Sequence, residues 1–328
     1  MNALHHLPTR LGTAFLIALS ALMLSAAAWA QDSYPSKALR IVAPFGAGGG
    51  GDTSLRLLAS ALARSLGQSV VVDNRPGGNG VIGATEVLRS PADGYTLFYG
   101  STTTLAANSS LMKQLPYSAS RDFVPITQVG LFPFLLAVHP NVPAQSLPQL
   151  IALAKSSSKP LSFASASHAG LVAGSSFARM AGVEMQHVPY KTAAAALTDL
   201  VGGQVSMMFM DVAIGLPMAK AGKIRVLGVT TATRTGLLPE VPAISEALPN
   251  YEVVAWTAMA APAGTPAPVI RRLHTEISQA LAQPELRAEF AKLGLDIKTR
   301  SPEQTAAFMM AETEAWARHV KAAGIAPE

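Results

Sequence analysis

The chain has 328 residues, of which 25 are lysine or arginine and 20 are aspartate or glutamate, and it contains no cysteine. The lack of cysteine excludes disulfides, thiolate metal sites and cysteine nucleophiles. The basic residues form no cluster and do not alternate with aromatic residues, so we expect no nucleic-acid partner.

The first 30 residues have the pattern of a secretory signal peptide. One basic residue, Arg10, precedes an apolar run of 18 residues from Leu11 to Ala28, and Ala28-Trp29-Ala30 stands just before Gln31. A run of this length is also near the lower limit for a membrane span. The Ala-x-Ala end and the lack of a basic stop after it favour cleavage near Ala30. We therefore expect a periplasmic protein that begins at Gln31.

Strand and helix patterns alternate in the rest of the chain. In the first part, strands are predicted at 39–43, 70–72 and 95–99, and helices between them at 52–66 and 81–89. After the apolar segment 131–138, helices are predicted at 147–156, 174–181 and 193–201, and strands at 161–164, 187–190, 205–209 and 224–230. A strand at 253–261 and helices starting at 268 and 302 complete the chain. Strands separated by helices of this length predict parallel α/β sheets.

The order of these elements predicts two α/β lobes. The first lobe comprises residues 31–128 and 253–328, because the last strand and helices most naturally complete the first sheet. The second lobe comprises residues 129–252. The chain then crosses between the lobes twice, which makes a hinge and a cleft of the kind in which small ligands bind.

A glycine-rich loop, Gly46 to Gly51, lies between the first predicted strand and helix. Its backbone N–H groups are free to turn toward one point, and the dipole of the following helix also favours an anion there. Such a loop binds an anion without any charged side chain. A flexible turn is the alternative interpretation, because glycine alone is a weak signal.

The same loop also fits a dinucleotide-binding pattern. Gly46, Gly48 and Gly51 satisfy G-x-G-x-x-G, and Asp73 ends the next strand, where a ribose-binding acid would stand. Three observations count against a dinucleotide. Asp52 would repel the pyrophosphate, Asp73 runs into a second glycine-rich loop, and a leader without paired arginines predicts export of the unfolded chain, without a cofactor.

Two further loops follow predicted strands. The second glycine-rich loop runs from Asp73 to Gly83, and the third segment, Gly100 to Thr104, carries hydroxyl groups. Because the carboxyl ends of parallel strands meet at one edge of a sheet, all three loops are expected to face one crevice.

The predicted second lobe offers fewer candidates. Ser165 and Ser167 follow a strand, but no G-x-S-x-G elbow surrounds them. Asp211 stands after the strand 205–209, where it either meets an ammonium or hydroxyl group of the ligand or caps the next helix. The histidines have no partner at metal-ligand spacing, so we expect neither a metal nor a catalytic site.

An ordered set of motifs resembles the Bug family, the extracytoplasmic solute-binding proteins of tripartite tricarboxylate transporters. Besides the two glycine-rich loops, these motifs are Asp93–Leu97, Val188–Lys191, Leu197–Val205, Leu238–Pro242 and Ala261–Pro266. The resemblance covers nearly all of the chain after the leader. It implies a type II periplasmic-binding-protein fold that closes on a carboxylate, which backbone groups of Phe45–Thr53 and Asn74–Gly83 and ordered waters hold.

These arguments together give a set of candidate ligand-binding residues. They are Phe45, Ala47, Gly48, Gly49, Asp52, Thr53, Asn79, Gly80, Gly83, Ser101, Thr102, Thr103, Ser165, Ser167 and Asp211.

The sequence departs from the family pattern in the second lobe. A Ser-x-Gly-x-Gly stretch is replaced by Ser165-Ala166-Ser167-His168-Ala169, Leu171 stands where a histidine is usual, and Thr192 replaces a glycine. We therefore expect carboxylate capture to be retained and the far end of the ligand to be recognised differently.

The expected function is reversible capture of a small carboxylate by a monomer, without a cofactor, for delivery to a membrane permease or a sensor. An exported hydrolase or oxidoreductase, using the glycine-rich loop for a substrate or cofactor phosphate, is the alternative. A signalling receptor that no longer serves transport is a third possibility.

Overall fold

The computed structural model describes residues 34–190 and 192–327. The expected signal peptide, residues 1–30, lies outside these ranges. Within them, no helix combines the length and apolarity needed to cross a membrane.

The first elements alternate as the sequence predicts. They are β1 (Leu39–Ala43), α1 (Gly50–Leu66), β2 (Val70–Asn74), α2 (Val81–Leu88) and β3 (Thr96–Ser101). Leu55, Leu58, Leu62 and Leu66 form a buried stripe on α1, and the helix ends at Gly67 in the left-handed conformation. The helix begins at Gly50, two residues before the predicted start at residue 52. Asp52 lies within the first turn, where its carboxylate reaches back to Gly48 N–H.

An irregular segment follows β3. Thr103–Ala107 forms a π-helical turn, which continues into the short helix α3 (Asn108–Leu111) and, after a loop, into α4 (Ala119–Asp122). This segment contains no element predicted from the sequence.

A 16-residue strand, β4 (Phe123–Val138), then enters the second series of elements. This series comprises α5 (Leu147–Ser156), β5 (Leu161–Ser165), α6 (His168–Ala181), β6 (Met185–Pro189), α7 (Ala193–Val201), β7 (Met207–Asp211), α8 (Val212–Lys220) and β8 (Arg225–Val229). Ser167 and Thr192 cap α6 and α7 by accepting backbone N–H groups.

The chain returns through β9 (Val254–Pro262) and ends in helices. These last elements are α9 (Ala267–Ala282), α10 (Pro284–Lys292), the short strand β10 (Asp296–Ile297) and α11 (Pro302–Ala322). Helix α11 begins at Pro302 as predicted, and Ser301 caps it by accepting the Gln304 N–H.

Strand pairing gives two sets of strands joined through β4. In the first set, β1 pairs in parallel with β2 and β3, and β9 pairs antiparallel with β3 and β4. In the second set, β5 pairs in parallel with β6 and β7, while β7 and β8 flank the end of β4. Helix α11 packs on the π-helical turn, on β4 and on α6, so it touches both sets. The predicted α/β class is confirmed, although the sheets are mixed rather than parallel, because β4 and β9 pair antiparallel with their neighbours.

Candidate functional site

A cavity of about 490 Å³ lies between the carboxyl ends of β1 to β3 and the end of β5. Its volume is within the range of sites for small molecules. It is lined by Pro44, Phe45, Gly77, Asn79, Gly80, Ser101, Thr102, Thr103, Thr104, Ala107, Leu111, Ala166, Ser167, Ala169, Ala255 and Trp316. Among the described residues, none that lines the cavity carries a titratable side chain.

The structure brings about half of the candidate residues to this cavity. Those at its wall are Phe45, Asn79, Gly80, Ser101, Thr102, Thr103 and Ser167. Those that do not line it are Ala47, Gly48, Gly49, Asp52, Thr53, Gly83, Ser165 and Asp211. Gly46, Gly48 and Gly49 of the first loop are exposed, and Gly48 has a φ of 88°.

Asp52 holds the first two loops together. Its side chain is buried, with 2% of its surface exposed. It accepts hydrogen bonds from Gly48 N–H (2.8 Å), Arg56 Nε (3.0 Å) and Asn74 Nδ2 (2.9 Å). Burial raises the pKa of this carboxyl, but the three hydrogen bonds outweigh burial and hold the pKa below its usual value. Asp52 therefore acts as a buried anchor behind the cavity.

The second loop has a backbone that glycine makes possible. Gly77, Gly78, Asn79 and Gly80 all have positive φ values. A Cβ on Gly80 would collide with the methyl group of Thr104 and would lie 3.0 Å from Pro44 Cβ. This close approach brings Asn79 and Gly80 to the wall of the cavity.

Asn108 supports the second loop from behind. It is fully buried, and its Nδ2 donates to the carbonyl oxygen of Asn79 (3.0 Å). The hydroxyl of Tyr117 donates to the carbonyl oxygen of Thr104 (2.7 Å), which ties the π-helical turn into the same region.

The third segment supplies hydroxyl groups. Thr102 Oγ1 accepts from Trp256 N–H (2.7 Å), and Thr104 Oγ1 accepts from Ser101 N–H (3.0 Å), so these two hydroxyls hold the local backbone. The hydroxyls of Ser101 and Thr103 form no hydrogen bond within the described chain and are available to a ligand.

The second set of strands contributes differently from the prediction. Ser165 is buried, and its Oγ lies 2.8 Å from His187 Nε2, whose pKa burial lowers. Asp211 is exposed at the end of β7 and makes no side-chain cap bond to α8. Ser167 reaches the cavity, where its Oγ also accepts Gly170 N–H (3.1 Å).

Several lining residues were not predicted. Ala107 and Leu111 come from the π-helical turn and α3, and Ala255 and Trp316 come from β9 and α11. Behind the wall, Trp256 Nε1 donates to Glu312 of α11 (2.7 Å). Nothing local in the sequence marks these residues, because the docking of α11 against the π-helical turn brings them there.

The dinucleotide interpretation finds no support in the position of Asp73. Its carboxylate accepts hydrogen bonds from Arg40 and Arg75, at 2.9 and 3.0 Å, and it lies outside the cavity wall. The cavity instead offers neutral hydrogen-bonding groups and apolar contacts, which suit binding rather than bond cleavage.

A search of protein-family models matches residues 54–325 to the tripartite tricarboxylate transporter family receptor. Protein BugT of Bordetella pertussis is 35% identical over 304 residues, which cover 91% of this chain and 93% of BugT.

Solved structures show the same fold. The Rhodopseudomonas palustris protein Rpa4515 with adipate is 34% identical, with a TM-score of 0.78 over 90% of this chain and all of that one. MatC from the same organism, with bound malate, is 30% identical, with a TM-score of 0.72 over 88% of this chain and all of MatC. The chain therefore belongs to the tripartite tricarboxylate transporter receptors, the Bug family of solute-binding proteins, and is a binding receptor rather than an enzyme.

Proposed function

We propose that the protein captures a small carboxylate in the cavity between β1–β3 and β5. One observation carries the proposal: Asn79, Ser101 and Thr103 present polar side chains without a hydrogen-bond partner in the described chain to the cavity. None of the described residues that line this cavity is charged. Hydroxyl, amide and backbone N–H groups stabilise a carboxylate by hydrogen bonds, as a glycine-rich loop does for other anions. The relatives that carry adipate and malate support this chemistry.

The remaining candidate residues act when the cavity closes. We take residues 31–128 and 253–328 as one lobe and residues 129–252 as the other, with β4 and the chain leading into β9 as the two crossovers. The first loop, Ala47 to Gly49 with Thr53, lies in the same lobe as Asn79 and is fixed to the second loop by Asp52, so it flanks the captured carboxylate and the other lobe closes over both. Asp211 then faces the cleft from the other lobe.

Family membership and the leader support a proposal about the place of action and the partners. The protein is exported, loses its signal peptide near Ala30 and acts in the periplasm as a monomer. It delivers its ligand to the membrane permease of a tripartite tricarboxylate transporter or to a sensor.

Isothermal titration calorimetry tests capture directly. Residues 31–328 are purified and unfolded and refolded to remove any carried ligand. The protein is then titrated with a series of carboxylates. Each carboxylate is compared with the uncharged alcohol or amide of the same carbon skeleton. We expect at least one carboxylate to bind and its uncharged counterpart to bind far more weakly. If no carboxylate releases heat or raises the unfolding temperature, the proposal is wrong.

A further inference from the structure

Asn108 joins two of the segments that line the cavity. Its side-chain Nδ2 donates to the carbonyl oxygen of Asn79 in the second loop (3.0 Å), and its backbone N–H donates to the carbonyl oxygen of Thr103. In an α-helix this N–H would bond the residue four positions back, Thr104. Because the π-helical turn moves the bond to Thr103, one residue holds the backbone of both Asn79 and Thr103.

Tyr117 completes this link. Its hydroxyl donates to the carbonyl oxygen of Thr104 (2.7 Å) and accepts a hydrogen bond from Asn108 Nδ2 (3.3 Å). A hydroxyl has one proton and two lone pairs, so it can make both bonds at once. Asn108 and Tyr117 are 0% and 5% exposed, and neither lines the cavity. These two residues, the Asn108–Tyr117 pair, therefore act on the ligand site only through the backbone of the lining segments.

The position of Asn108 is unfavourable for the fold alone. Its Oδ1 is buried and has no hydrogen-bond partner among the described residues, which destabilises a folded protein. An apolar side chain would avoid that loss, but it could not donate to the carbonyl of Asn79. Asn79 itself has a φ of 53°, which is uncommon for a residue other than glycine, and the bond from Asn108 holds it there. Both features are explained if the pair serves the ligand site.

We propose that Asn108 and Tyr117 are positioning residues of the ligand site. The pair couples the second loop to the π-helical turn, so that Asn79 and Thr103 bind one carboxylate together. The proposal rests on carboxylate capture in this cavity and adds how its polar groups are held in place. Groups that are fixed before binding lose less conformational freedom when the ligand arrives, so their hydrogen bonds add more to the affinity.

A double-mutant cycle measured by calorimetry tests the coupling. Tyr117→Phe removes the hydroxyl and keeps the ring, whose centroid lies 6.0 Å from that of Phe123. We expect this variant to bind the tightest-binding carboxylate about tenfold more weakly than the unaltered protein. Thr103→Val should weaken binding about tenfold in the unaltered protein but at most about threefold in Tyr117→Phe, because the Thr103 hydroxyl is then no longer held in place.

The outcomes of the cycle separate this proposal from carboxylate capture. An equal cost of Thr103→Val with and without the Tyr117 hydroxyl would overturn the coupling and leave carboxylate capture intact. If no carboxylate binds the unaltered protein, both proposals are wrong.

Tyr251→Phe is the matched control for a merely structural role. Tyr251 is also buried, and its hydroxyl donates to the carbonyl oxygen of Ala173 at 2.9 Å, where neither residue lines the cavity. The variant loses the same kind of bond, so its unfolding temperature should fall while its affinity and the tenfold cost of Thr103→Val stay unchanged. A loss of affinity equal to that of Tyr117→Phe would assign the effect to general destabilisation and contradict the proposal.

Hydrogen exchange on the unaltered protein remains decisive if Tyr117→Phe does not fold. The backbone N–H groups of Gly80 and Asn108 report on the second loop and on the π-helical turn, since they bond to the carbonyl oxygens of Gly77 and Thr103. A saturating carboxylate should slow the exchange of both groups by at least about tenfold and by similar factors. Protection of only one of the two would show that the segments respond separately and would overturn the proposal.

Discussion

At the scale of single residues, Asp52 is the anchor whose loss should be felt most. Its buried carboxylate accepts hydrogen bonds from Gly48 of the first loop, Asn74 of the second and Arg56 of α1. In Asp52→Asn, one oxygen becomes a donor that faces other donors. We expect the free energy of unfolding to fall by about 1–3 kcal/mol, measured by urea denaturation.

The control and the pH dependence of this variant separate a buried anchor from a surface charge. Glu289→Gln removes an exposed ion pair with Lys292 and should change stability by less than about 0.5 kcal/mol. Because the folded pKa of Asp52 lies below its unfolded value of about 3.9, its contribution is present above that pH. This contribution of Asp52 is lost as pH falls through its folded pKa. The free energies of unfolding of the unaltered protein and of Asp52→Asn should therefore become equal in strong acid. A stability gap that persists there would contradict this account.

The free hydroxyls of Ser101 and Thr103 support a prediction about affinity alone. Ser101→Ala and Thr103→Val each remove a hydrogen bond to the carboxylate but no contact that holds the fold. Each should weaken carboxylate binding about tenfold with little change in unfolding temperature. Thr198→Val, which removes an exposed hydroxyl on α7, should leave the affinity unchanged.

At the scale of an element, the second loop depends on a residue without a side chain at Gly80. Gly80→Ala combines an unfavourable φ of 83° with a collision against Thr104 and Pro44. We expect a loss of about 2–4 kcal/mol in stability and at least about tenfold in affinity, since the loop must shift at the cavity wall.

Gly67→Ala separates these two causes. Gly67 also has a positive φ, 64°, at the end of α1, but a Cβ there meets open space. Only the backbone cost of about 1 kcal/mol should appear in denaturation, and ligand affinity should not change. If both variants lose affinity alike, the close approach of Gly80 to Thr104 has no role in the site.

The elements also show what a sequence predicts and what it does not. Helices such as α5 and α7 have the predicted bounds because apolar spacing and capping residues are local signals. The π-helical turn at Thr103–Ala107 and the placement of Trp316 were missed, since both depend on contacts between segments distant in sequence. The glycine pattern located the loops correctly, yet which of their residues reach the cavity depends on how the loops pack around Asp52.

At the scale of the whole molecule, two sets of strands face one cavity and are joined by β4, by the chain into β9 and by α11. We expect the two halves to approach each other when a ligand binds. Small-angle X-ray scattering should then show a smaller radius of gyration at saturation with the tightest-binding carboxylate. A ligand at 100 times its dissociation constant should also add about 2.7 kcal/mol to the free energy of unfolding.

Tryptophan fluorescence reports the same closure from inside the cavity. Trp256 and Trp316 are the two tryptophans of residues 31–328, and Trp316 lies at the cavity wall while Trp256 is fully buried. Ligand binding should shift the emission, and Trp316→Phe should remove most of that shift while the change in radius of gyration persists. A shift that survives in Trp316→Phe would assign the signal to Trp256 and to movement at β9. An unchanged radius in both proteins would mean that the ligand binds without closure.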